Sequence, residues 1–143
     1  MQINEFEGHK GWVYGINYID NDLFCTSGDD RSIRLWNVHQ KKAVKVIFPH
    51  SDSINFVFNL YEYLGENVIL TGSADNTMKL IGLGLNENKG GEFFSLFFDD
   101  EIFLCSLYVD VMEENVKKIF VVTLSKNNSR IIRVWSNFLN EDY

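Results

Sequence analysis

Thr26, His9 and Asp30 carry a hydroxyl, an imidazole and a carboxylate, the groups that an acyl-transfer site uses as nucleophile, base and orienting acid. Their surroundings argue against that chemistry. Thr26 falls within a predicted strand, not on the G-x-S-x-G turn that exposes a nucleophile, and Trp36 brings an indole N–H that needs an acceptor once buried. An indole only donates, a threonine hydroxyl donates and accepts, a neutral imidazole does both through its two nitrogens, and a carboxylate only accepts. Trp36, Thr26, His9 and Asp30 can therefore form one directed chain ending on the carboxylate, a structural relay rather than a reactive centre. A hydrolase built on Thr26, His9 and Asp30 is the alternative.

Other chemistry-bearing residues are less organised. Gly82-Leu83-Gly84 begins like a dinucleotide loop, but Glu87 stands where the third glycine belongs and no helical pattern follows. Asp99-Asp100-Glu101 reads as a solvated turn, because a calcium site needs further ordered oxygen ligands. His39 reads as a surface residue. Cys25 and Cys105 form no C-x-x-C pattern, which argues against a zinc site and a secreted disulfide scaffold and fits a reducing compartment. No cofactor or metal is expected.

The elements that position these residues read as strands. Short runs rich in Val, Ile and Phe alternate with Asn, Asp and Gly clusters. Strands are predicted over 3–6, 13–18, 23–27, 32–37, 43–48, 54–59, 67–71, 78–81, 93–97, 103–109, 119–123 and 131–135. The chain is thus all-β, and it repeats. The segment from Thr26 to Trp36 aligns without gaps on Thr71 to Ile81, an offset of 45. A fainter third copy runs from Thr123 to Trp135. Polar insertions at Gly84 to Gly91 and Glu113 to Lys118 absorb its longer step as loops. The second copy keeps His50, Thr71 and Asp75 of the relay but has Pro49 for Gly8 and Ile81 for Trp36, and the third has no histidine near Asp99 or Asp100.

Length and composition agree. The 143 residues, 45% hydrophobic and 23% charged, suit one globular domain that can bury a core unaided by metal or disulfide. The net charge of −7 repels phosphate backbones and anionic lipid, and the lysines form only pairs, so neither nucleic acid nor a membrane surface is expected as a partner. No apolar run approaches the roughly 20 residues of a spanning helix, and the start of the chain has no signal-like pattern. A cytoplasmic or nuclear location is expected.

At Gly8-His9, the Asp30 turn and the Ile33-Arg34-Leu35-Trp36 strand followed by Asn37, where Asp is usual, the chain resembles the WD-repeat family of β-propellers. The likeness is strong over 6–48, good over 49–80 and weak beyond. It implies about three four-stranded blades, roughly 7–48, 49–98 and 99–143, with 1–6 an outermost strand of a neighbouring or closing blade. It also implies the Trp36–Thr26–His9–Asp30 network. Closed propellers use about 4 to 8 blades, so this one is partial. Two sheet faces should then lack a neighbour. The chain is expected to be a segment of a longer propeller; pairing with a copy of itself and receiving blades from another protein are the alternatives. Phe93, Phe94, Phe97 and Phe98 near the last interface make aggregation of an isolated chain plausible.

The function implied is non-enzymatic, a scaffold presenting loops to partner proteins or peptides. A purely structural subunit is a further alternative. Trp12 falls where the family exposes side chains around the channel mouth, and exposed aromatics make binding anchors. With Tyr14 and Asp29 in the first blade and Ser53, Asn55 and Ala74 in the second, it marks the expected protein-binding face. Packing of Trp12 against a neighbouring sheet is the structural alternative.

Overall fold

In a computed structural model, residues 1, 4–20, 22–61, 67–85, 90–111, 117–126 and 132–135 are described. Eleven strands follow in chain order among them: β1 Val13–Asp20, β2 Leu23–Gly28, β3 Ile33–Asn37, β4 Ala43–Ile47, β5 Ile54–Asn59, β6 Val68–Ser73, β7 Thr77–Leu83, β8 Gly90–Phe97, β9 Ile102–Val111, β10 Lys117–Ser125 and β11 Ile132–Trp135. They form three antiparallel meanders, β1-β2-β3-β4, β5-β6-β7-β8 and β9-β10-β11. β1 and β2 pack on β5, and β5 and β6 pack on β9, so the sheets stack in chain order as an arc of propeller-like blades.

Strand alternation sorts the side chains between layers. Cys25, Ile33 and Leu35 of the first sheet meet Ile54, Val57, Ile69, Ile81 and Leu83 of the second. The opposite face of the second sheet, with Phe56, Val68, Leu70, Met78 and Leu80, meets Ile102 and Val121 of the third. All six residues of β6 are buried, because this strand is covered on both faces. Gly72 is needed there: a Cβ on it would collide with the Phe56 ring.

Polar struts join the layers. Asn59 Nδ2 donates to the carbonyls of Tyr18 (3.1 Å) and Ile19 (2.9 Å), and Lys45 Nζ donates to the Leu83 carbonyl at 2.6 Å. Asn55 Nδ2 donates to Glu101 Oε1 (3.0 Å) and the Ile102 carbonyl (2.8 Å). The β2–β3 and β6–β7 turns share an unusual backbone: Arg31 (φ 63°) and Asn76 (φ 65°), 45 positions apart, are both left-handed.

Two features depart from expectation. Of the strand expected over 3–6, residues 4–6 form none and residue 3 lies outside the described residues: an outermost strand needs a sheet edge to pair with, and none of the described strands offers one there. Phe6 instead packs edge-on against Phe24 and Trp36, with ring centroids 5.1 and 5.7 Å away. The third sheet has three strands among the described residues, and the tail 136–143, where a fourth would fall, lies outside them.

Candidate functional site

The first relay is assembled across three segments. His9 comes from the stretch before β1, Thr26 from β2, Asp30 from the following turn and Trp36 from β3. Trp36 Nε1 donates to Thr26 Oγ1 at 2.8 Å. That oxygen lies 2.7 Å from His9 Nε2, and His9 Nδ1 lies 2.9 Å from Asp30 Oδ1. With the indole proton on Thr26, the hydroxyl proton points to Nε2 and the imidazole gives its Nδ1 proton to the carboxylate. Asp30 also accepts from the Ser32 hydroxyl (2.6 Å), the Lys10 amide (2.9 Å), the Ser32 amide (3.1 Å) and Arg34 (3.5 Å). Burial alone would raise its pKa. The Ser32 hydroxyl, the Lys10 amide, His9 and the Ser32 amide outweigh it and hold the carboxyl well below its ordinary range.

The second relay repeats this plan without the indole. His50 Nε2 lies 2.8 Å from Thr71 Oγ1, and His50 Nδ1 lies 2.9 Å from Asp75 Oδ2. Asp75 accepts from the Thr77 hydroxyl (2.5 Å), the Thr77 amide (2.9 Å) and the Ser51 amide (3.0 Å). Burial works against ionisation here too, yet the Thr77 hydroxyl, the charge of His50 and the Ser51 amide lower its pKa. Where Trp36 would donate, Ile81 packs in the core, and Thr71 Oγ1 donates to the Lys79 carbonyl at 3.3 Å. The third sheet repeats one step: Trp135 Nε1 donates to Thr123 Oγ1 at 3.0 Å.

Sequence reasoning missed Ser32 and Thr77, the hydroxyl residues two positions after each aspartate. Asp-x-Ser/Thr in both aligned copies was the available signal, since such side chains bond locally around turns.

The chemistry open to these groups is narrow. Thr26 is 7% exposed and its oxygen already meets both an indole and an imidazole, which leaves a substrate carbonyl no approach. Burial pushes the Cys25 thiol up to about 12, away from the reactive thiolate. Among the described residues no cluster of His, Cys, Asp and Glu could hold a metal ion. Glu101 of the acidic turn instead pairs with Lys126 at 3.0 Å. Gly82 and Leu83 end β7, while Glu87 lies outside the described residues. His39 sits exposed, 3.3 Å from Asp22.

A second group of residues gathers at the end of the sheets bearing the β2–β3 and β6–β7 turns. The Asp29 amide donates to the Trp12 carbonyl at 2.8 Å, and in the next sheet the Ala74 amide donates to the Ser53 carbonyl at 2.9 Å. Ser53 Oγ donates to Asp29 Oδ1 at 2.8 Å, tying the two sheets together. Trp12 stands edge-on to Tyr14, 6.5 Å between centroids, and is 77% exposed rather than packed on a neighbouring sheet. The expected set Trp12, Tyr14, Asp29, Ser53 and Ala74 is thus contiguous, while the amide of Asn55 is engaged with Glu101 and Ile102.

The segment that carries Gly8-His9, the turn aspartate and the strand tryptophan is similar to known proteins. Residues 1–37 match the family model described as WD domain, G-beta repeat. This segment, about a quarter of the chain, is similar to a WD repeat. The chain is 29% identical over 72 residues to the probable coatomer subunit beta' of Schizosaccharomyces pombe, covering 46% of this chain and 9% of that protein. It is 34% identical over 79 residues to the nuclear distribution protein PAC1 of Candida glabrata, covering 52% of this chain and 16% of that protein. A third relative is the E3 ubiquitin-protein ligase COP1 of Pisum sativum, 33% identical over 55 residues, 38% of this chain and 8% of that protein. The chain therefore spans less than a fifth of the length of these relatives.

Proposed function

We propose that this WD-repeat chain is a non-enzymatic platform that holds a protein or peptide partner on the face made by Trp12, Tyr14, Asp29, Ser53 and Ala74, with Asn55 bracing that face against the third sheet. The observation that carries it is Trp12: a large aromatic exposed to solvent, yet held by a backbone bond from Asp29. A backbone already tied in place loses little conformational entropy when it binds, so an exposed indole carried on it favours association. The saturated hydroxyl of Thr26 supports a structural role for the relays and disfavours the hydrolase. The acidic balance favours protein partners over nucleic acid or anionic membrane, and we infer a cytoplasmic or nuclear setting. In this reading the blades run over 7–48, 49–98 and 99–143.

Peptide-display selection against the immobilised chain tests the platform. Trp12→Ala is expected to weaken the selected peptides at least tenfold with an unchanged Tm. Peptides that bind Trp12→Ala as well as the parent would sink the assignment, and ester hydrolysis abolished by Thr26→Ala without loss of fold would replace it with the enzyme.

A further inference from the structure

We draw no further inference here: the strongest candidate, the side-chain cluster at the turn end of the second and third sheets where Asp52, Asp100 and Glu101 gather about Lys126, carries nothing, because its carboxylates are already answered within the chain by Lys126, the Asn55 side chain and the Ser53 and Glu101 amides and nothing else among the described residues points to a ligand there.

Discussion

The relays around His9 and His50 share a threonine, an aspartate and a hydroxyl donor to that aspartate, yet they differ in what the threonine serves. In the first sheet Thr26 accepts the Trp36 indole, and that ring lies under Phe6 and beside Phe24, with no further sheet beyond among the described residues. In the second sheet the indole is replaced by Ile81, and Thr71 turns to the Lys79 carbonyl within a layer covered on both faces. Where apolar neighbours seal both sides, packing suffices and the relay can lose its aromatic member. Where one side lacks a sheet, the indole and its acceptor hold the strands together.

The comparison breaks first at the doubly covered strand. Ile69→Ala removes a side chain that is wholly buried between the first two sheets, and is expected to cost about 2–5 kcal/mol in denaturant unfolding. The equivalent change Phe24→Ala, at a half-buried ring, should cost less; equal losses would contradict the contrast between sealed and unsealed sheets. Next come the threonines. Thr26→Val keeps the volume but strands both the Trp36 N–H and a His9 nitrogen, an expected loss of about 2–3 kcal/mol, whereas Thr71→Val strands only a His50 nitrogen and should cost about 1 kcal/mol.

Acid sharpens the same picture. Asp30 and Asp75 both have pKa values below the unfolded carboxylate value of about 3.9. The stability they add is complete above that value and is lost as pH falls through and below it, because the unfolded chain then binds more protons. Unfolding midpoints should decline on acidification below about pH 5, and Asp30→Asn, weaker at neutral pH, should decline less steeply. The smallest effect is expected at Trp12→Ala, within about 0.5 kcal/mol of the parent, since the ring is mostly exposed.

Much of the architecture was legible from residue pattern. The strand predicted over 54–59 matches β5 at both ends, and the 45-residue offset reappears as matched relays and matched left-handed turn residues, Arg31 and Asn76. Strand ends were less legible where ladder pairing overrides composition. β10 begins at Lys117, not Ile119, because Lys117 and Lys118 pair with Val111 and Asp110 of β9. β8 begins at Gly90, not Phe93, because both glycines pair with the end of β7. Residues 4–6 have strand composition but belong to no ladder among the described residues, since a strand is a relation between two segments.

What the sequence determined by itself is the inventory: three copies of a strand–turn–strand unit, two of them with histidine, threonine and aspartate at spacings that let protons run one way. Donor and acceptor capacity belongs to a side chain wherever it is placed, so the relays could be written down from residue types alone. Burial is different, because it is conferred by neighbours. Ile16 and Val57, or Ile132 and Met78, fill equivalent positions with similar apolar groups, and only the stacking of the sheets decided which member of each pair is shielded and which is left facing water.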